Sequence, residues 1–352
     1  MKCLASLILL LVSTGAFADE ELPGTIDVGK TGFDIKRPVF AAACPHACPW
    51  GELGDFVKDA MQPFGYEVIL CRNCNRDRGP RLVATNDLPP ALDAIDQYTG
   101  TDYRFNATVD FGVTASDMLT MAYSGQSGNA RGGPYKNLRL IAKIEDPFYL
   151  MVAVKKALGI TDLAQIKEKK LAVKILAGGT AASILDYYGL DRKTIESYGG
   201  SFGRSMGATA DTEFDIIIDE LGSPARNPES SQWSTLSEAN DLYFIQLPDA
   251  LLDKLQEESV AETHRVTVKW GFLRGVDRLI ETVARSGESI FASTDTPEQA
   301  AYDIAKAVDQ ARGDLKWYAR IYTYDPRTVW KNDGVPLHPG AERYYREMGY
   351  IK

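Results

Sequence analysis

The chain is poor in histidine and cysteine. Of 352 residues, three are histidine (His46, His264 and His338) and five are cysteine. No HExxH, GxSxG or protein-kinase set is present, and the Gly178-Gly179-Thr180 run lacks the Gly-Lys-Ser/Thr of a phosphate-binding loop. Those motif-borne chemistries have no foothold here. Positive charge is also short: 39 Lys and Arg face 48 Asp and Glu, a net charge of −9. Nucleic acids and anionic membranes both call for basic surface, so neither is expected as a partner. After the N-terminus no apolar run approaches the ~20 residues that span a bilayer, and there is no internal repeat or low-complexity tract.

The N-terminus itself reads as an export signal. Lys2 supplies the positive start, Leu4 to Val12 an apolar core too short to span, and Ala16-Phe17-Ala18 the small-x-small pattern of a cleavage site. Cleavage is expected after Ala18, with a polar, extended lead-in over 19–36. An exported chain meets an oxidising compartment, where thiols tend to pair. Cys3 leaves with the leader; the other four cysteines all fall within residues 44–74.

With 45% hydrophobic residues the chain can bury a large core, and its length exceeds the usual single-core limit, so two lobes are expected. Strand and helix patterns alternate. "RPVFAAA" (37–43) suits a buried strand. Leu53, Phe56, Val57, Ala60 and Met61 mark one face of a helix that Pro63 and Gly65 end, and "YEVILC" (66–71) is the next strand. Strand-then-helix recurs at 109–124, at "LAVKILAGGTAASILDYYGL", and at "LYFIQLP" with "DALLDKLQEE". Residues 138–144 and 148–156 are two strands, and 296–319 is helical with Thr296 expected as its N-cap. The order predicts an α/β fold of two lobes, each a mostly parallel sheet flanked by helices, with a ligand cleft between them. Lobe I would hold 37–146 and 277–352, and lobe II 147–276. The chain would cross near 144–149 and 273–278.

Several loops after strands could line that cleft. Gly178 and Gly179 allow a sharp turn, and Thr180 can cap the helix that follows, leaving N–H groups that favour an anion. Ser116 and Asp117 open another helix. Asp219 and Glu220 end a strand; neighbours on a strand face opposite ways, so at most one reaches the cleft. Trp50 offers a flat aromatic wall, and His46 and Asn73 lie in the two cysteine loops. His264 opens a strand, and His338 sits in a packed turn.

The four remaining cysteines admit three readings. Cys44, Cys48, Cys71 and Cys74, or three of them with His46, have the paired short spacings of structural zinc ligation. Cys71-x-x-Cys74 has the spacing of a thiol–disulfide oxidoreductase. Export favours the third, two disulfides. Strands 38–43 and 66–71, if neighbours ~4.8 Å apart, would bring Cys44/Cys48 beside Cys71/Cys74. Bridging across the loops is therefore expected over local pairing.

"NLRLIAKI", "GITDLAQIKEKKLAVKILAGGTAASIL", "FDIIIDELGSP" and above all "VPLHPGAERYYREMGYIK" resemble, in order and approximate spacing, the TAXI-type solute receptors of TRAP transporters. The resemblance covers most of 137–352. It implies a monomeric, non-enzymatic, two-lobed periplasmic protein without a cofactor. Such a protein closes on a small organic ligand (an organic acid, an amino acid or an aromatic compound) and passes it to a TRAP-type membrane permease. It lays the family's second-lobe Gly-Ser-Gly-Thr loop on Ala177–Thr180, with Gly178 where the serine stands. It puts the cleft acid on Asp219 and a ligand-facing turn on Ser116 and Asp117. The first lobe departs: "PHACPWG" and "CRNCNRDRGP" replace two glycine-rich loops, with Trp50 where a tyrosine would stand.

Overall fold

The apolar face read after residue 50 forms α1, and its terminators act as their chemistry requires. Leu53, Phe56, Val57, Ala60 and Met61 are all buried, each larger side chain worth about 1.5–3 kcal/mol against exposure. A 3-10 turn over Gln62–Phe64 follows, and Gly65 closes it at φ +81°, its N–H bonding Gln62 O. A side chain at Gly65 would meet the left-handed penalty that glycine escapes.

The computed structural model describes residues 24–42, 49–72, 74, 79–89, 103–125, 133–176, 179–203, 213–221, 230–258, 263–285, 287–318, 320, 322–331 and 334–352. The expected leader with its cleavage after Ala18, and Cys44, His46, Cys48, Asn73 and Gly178, lie outside the described residues. In chain order the elements are β1 (Gly24–Ile26), β2 (Val39–Ala41), α1 (Pro49–Met61), β3 (Ile69–Cys71), α2 (Gly79–Thr85), β4 (Tyr103–Phe105), β5 (Phe111–Ala115), α3 (Ser116–Ser124) and β6 (Leu138–Ile144). There follow β7 (Phe148–Lys155), α4 (Gln165–Lys169), β8 (Val173–Ile175), α5 (Gly179–Tyr187), α6 (Arg192–Ser197), β9 (Ser201–Phe202), β10 (Ile216–Leu221), α7 (Ser230–Ala239), β11 (Leu242–Phe244), α8 (Asp249–Glu258), β12 (Thr263–Val268) and β13 (Ile280–Arg285). The chain ends with β14 (Glu288–Ser293), α9 (Glu298–Ala311) and α10 (Pro339–Glu347).

The fold is α/β with two large sheets. The first runs β3-β2-β5-β14-β6; the second runs β12-β13-β7-β10-β8-β9, with β11 also pairing β7, and β1 and β4 form a separate pair. Side-chain alternation lets both faces of each sheet be covered. Phe40, Phe111 and Val113 pack under α1, α9 and α10, while Val39, Ala41 and Leu140 pack with Leu82 of α2 and Leu119 of α3. In the second sheet Val152, Ile216 and Ile218 pack with α5 and α8, while Ala153, Ile217 and Leu221 pack with Trp233 of α7.

Two details differ from the expectation. The sheets are mixed: β2 runs parallel to β3 and β5, and β8 to β9 and β10, but β14 is antiparallel to β5 and β6. β7 is antiparallel to β10, β11 and β13. The chain passes between the sheets after Ile144 and again after Arg285, and β14 enters the first sheet between β5 and β6 on that return. The return was expected near 273–278. It comes later because β13 pairs with β12 over six residues and with β7, which keeps it in the second sheet. Gly287 makes the late return possible. It stands at φ +88°, and a Cβ there would lie 2.8 Å from Lys143 Cγ and 3.2 Å from Ile144 O.

Thr296 does not cap α9. Its amide bonds Ser293 O, closing the preceding turn, and Pro297 takes the cap position without a side-chain bond.

Candidate functional site

Helices that follow strands of both sheets begin beside the two chain passages. Trp50 lies in the first turn of α1, after β2. It is half-buried against the first core, and its indole Nε1 donates to Glu288 Oε2 at 2.6 Å. This bond holds the ring edge-on to the first residue of β14, a tie that the reading of Trp50 as a free aromatic wall did not contain.

Ser116 opens α3, after β5, and is buried. Its hydroxyl lies 3.1 Å from Gly287 O and 2.9 Å from Ser289 Oγ, and its amide also bonds Gly287 O. Ser116 thus fastens the helix start to the return passage. Asp117, beside it, is half-buried; its Oδ1 accepts from Met118 N at 2.8 Å.

Thr180 stands in the first turn of α5, after β8. It does not cap the helix: its hydroxyl donates to Glu220 Oε1 at 3.0 Å. Glu220 Oε2 accepts from Arg285 Nε at 2.8 Å. The Arg285 guanidinium also lies over the Phe148 ring, 4.5 Å from its centroid. Burial would lower the Arg285 pKa, but Glu220, Asp117 and Glu288 outweigh it and raise the value.

The strand-end acid at this cluster is Glu220, where the resemblance pointed to Asp219. Strand parity decides between them. Ile216 and Ile218 face α5, so Glu220 follows them onto that face. Asp219 shares the opposite face with Ile217 and Leu221, which pack with Trp233, and it is buried. Burial pushes its carboxyl up to about 7, against a bond from the Glu220 amide at 2.8 Å.

Glu288 completes the cluster. It is 2% exposed. Burial, chiefly, pushes its carboxyl up to about 8; Arg285 and the Trp50 bond lower it, and Asp146 and Asp117 raise it. Arg285 and Glu288 therefore stand three residues apart on either side of the return passage. Neither figured among the residues read from the sequence. The signal available was the "ARSGES" turn, a glycine with a cation and an acid around it.

Behind Trp50, Glu52 Oε2 accepts from Tyr322 OH at 3.1 Å and pairs with Arg320 Nη1 at 3.3 Å, both buried. His338 is the N-cap of α10. Its Nδ1 accepts from Gly340 N, its Nε2 donates to Thr296 O, and burial lowers its pKa. His264 is exposed.

Cys71 and Cys74 form a disulfide with Cα atoms 5.4 Å apart. The expected neighbourhood is present, since Cys71 pairs with Ala41 across β3 and β2. The expected cross-loop partners are not. A turn in which Cys74 N bonds Cys71 O brings the two cysteines together. This bond consumes two of the four thiolates of the zinc alternative. The pair is 0% and 3% exposed, which hides both sulfurs from exchange partners and opposes the oxidoreductase alternative. Among the described residues no group of three His, Cys, Asp or Glu is placed to hold a metal. A depression of about 350 Å³ lies elsewhere, between α9 and α10, lined by Tyr302, Asp309 and Tyr344 among others.

The sequence pattern of the NMT1-like family matches residues 104–349. Among solved structures, the chain is similar to a TctC solute binding protein from Polaromonas (13% identity, 90% of this chain and 98% of that chain, TM-score 0.44). It is similar to MatC from Rhodopseudomonas palustris with bound malate (11%, 89% and 97%, TM-score 0.45). A third is R. palustris Rpa4515 with adipate (12%, 89% and 95%, TM-score 0.42). Likeness at this level bears on neither a ligand nor the residues that would hold one.

Proposed function

The chain belongs to the NMT1-like family, and from that premise we propose that it is a periplasmic solute-binding protein holding a small organic ligand where its two sheet-centred halves meet. The observation that carries this reading is the convergence at the return passage. Thr180 reaches Glu220, Glu220 holds Arg285, Arg285 and Glu288 end and begin the strands on either side of the return passage, and Glu288 holds Trp50. Ligands of open α/β sheets bind beyond the carboxyl ends of strands, and here the starts of α1, α3 and α5 and the end of β10 supply that edge.

In this reading the halves act as two lobes closing on the ligand, and the protein does no chemistry on it. The TAXI-type resemblance of the C-terminal block supports delivery to a TRAP-type permease, and the export-like leader supports the periplasm. Gly179, Thr180, Asp117 and Trp50 border the ligand; Glu220 replaces Asp219 as the acid nearest it.

Thermal unfolding of the purified protein against organic acids, amino acids and aromatic compounds, malate and adipate included, tests the proposal. A one-site ligand at 100 times its Kd stabilises by about 2.7 kcal/mol. A library that produces no shift at all sinks it.

A further inference from the structure

The hydrogen-bonding groups at the return passage are incompletely used, and the unused ones suggest what they await. Arg285 spends its Nε on Glu220 and one ring face on Phe148. Its terminal Nη1 and Nη2 groups have no hydrogen-bond partner among the described residues. The side chain is thus fixed at one edge and one face and free at the fork. Glu288, almost wholly buried, spends Oε2 on Trp50, and its Oε1 has no partner. None of these atoms is sealed from solvent without a partner; with 21% of its side chain exposed, Arg285 is open to an arriving ligand, and a guanidinium fork matches a carboxylate with two parallel bonds.

We propose that Arg285 and Glu288 form the specificity element of the site: the Arg285 fork takes both oxygens of a ligand carboxylate, and the unbonded Oε1 side of the Glu288 carboxyl hydrogen-bonds to one of them. This deepens the solute-binding reading and rests on it. The arrangement selects a carboxylate over a neutral amide. An amide offers the fork one acceptor oxygen and turns an N–H₂ toward Arg285. It also binds the two halves through one group, because Arg285 ends a strand of the second sheet and Glu288 begins a strand of the first.

Capture then depends on the Glu288 proton. The charged and titratable groups that bear on it are Arg285 at the end of β13, Asp146 on the first passage, Asp117 at the start of α3, and Tyr322. The acids oppose its ionisation and Arg285 favours it. Binding of a carboxylate is therefore expected to hold through neutral pH and to weaken as pH rises past about 8.

The test uses the purified full chain, with paired probes (malate and malamide, adipate and adipamide, benzoate and benzamide) beside sugars, amines and nucleosides. The expected result is a carboxylate that binds at least tenfold tighter than its own amide. Arg285→Lys should weaken it by on the order of tenfold to hundredfold. Glu288→Gln, whose amide still donates, should keep binding at pH 6 and lose the decline between pH 7 and 9. If Arg285→Lys fails to fold by circular dichroism, the Glu220→Gln/Arg285→Gln pair, which removes both charges together, takes its place and should lose carboxylate binding. Equal affinity for acid and amide, or affinity indifferent to Arg285, overturns the inference. If a sugar, amine or nucleoside binds and Arg285 does not matter, solute binding stands and the carboxylate element falls. If nothing binds, both fall.

Discussion

Around the first sheet the buried side chains include Glu52, Lys143, Asp146, Glu288, Asp309, Arg320 and His338, all 5% exposed or less; the second sheet buries Asp219 as its ionisable group among the described residues. A buried charge costs several kcal/mol unless it is paired and bonded. The first half meets that demand with partners drawn from distant elements. Glu52 of α1 meets Arg320 and Tyr322, and Asp309 of α9 accepts from Tyr344 and Tyr350. The second half relies on shape, with Ile216, Ile218, Leu251 and Leu252 filling the space between sheet and helices. One half is held by specific bonds, the other by volume. The candidate site lies where a polar frame meets an apolar one: the Glu220–Arg285 pair is held from the second side and Glu288 from the first.

Substitutions should separate the two halves. Glu52→Ala removes the acceptor of two buried donors and is expected to cost about 3–5 kcal/mol in urea unfolding. Leu252→Ala should cost about 2–4 kcal/mol by cavity formation, whereas Leu252→Met should cost less than ~1.5. A Glu52→Ala loss smaller than that of Leu252→Met would break the contrast.

Acidity provides a finer probe, one group in each half. Glu288 and Asp219 both have folded pKa values raised above their unfolded ones, to about 8 and about 7. The folded state then holds more protons than the unfolded state between the two values. Stability is therefore full below about pH 4 as far as these groups are concerned, and falls as pH rises through 7 and 8. Asp219→Asn and Glu288→Gln should each flatten part of that decline in denaturation midpoints measured from pH 5 to 9. Parallel curves for wild type and both variants would contradict the burial argument.

The smallest effect is expected from Asp186→Ala. Its pair with Lys254 joins α5 to α8 at the surface, with Asp186 78% exposed. Water and salt screen such a pair, so the midpoint should not move measurably.

Much of this architecture was legible in the sequence, because periodicity reports local structure. Residues 138–144 form β6 as read, and the α1 face at Leu53, Phe56 and Val57 is the buried one. What escaped reading depended on contacts distant in sequence. The assignment of Ile280–Arg285 to the second sheet is set by its partners β12 and β7, and nothing in "IETVAR" names them. Asp219 and Glu220 differ only in parity, and parity acquires meaning once α5 is known to cover one face. Arg285 and Glu288 fall in a stretch without a motif; their meeting is made by a glycine turn and the return of the chain. The cysteine spacing allowed several pairings, and a local turn chose one.

The central position of β14 in the first sheet also has a temporal consequence. Residues 148–285 form the second sheet from one uninterrupted stretch, and every strand of it is synthesised before Glu288. The first sheet, begun at Val39, lacks the strand joining β5 to β6 until Ser293 is synthesised, and its covering helices α9 and α10 come later still. The N-terminal strands must therefore wait, edges unpaired, while the later half has everything it needs to fold. In such an order of birth the part made first is the part finished last, and the candidate site, which draws residues from both, is completed only near the end of synthesis.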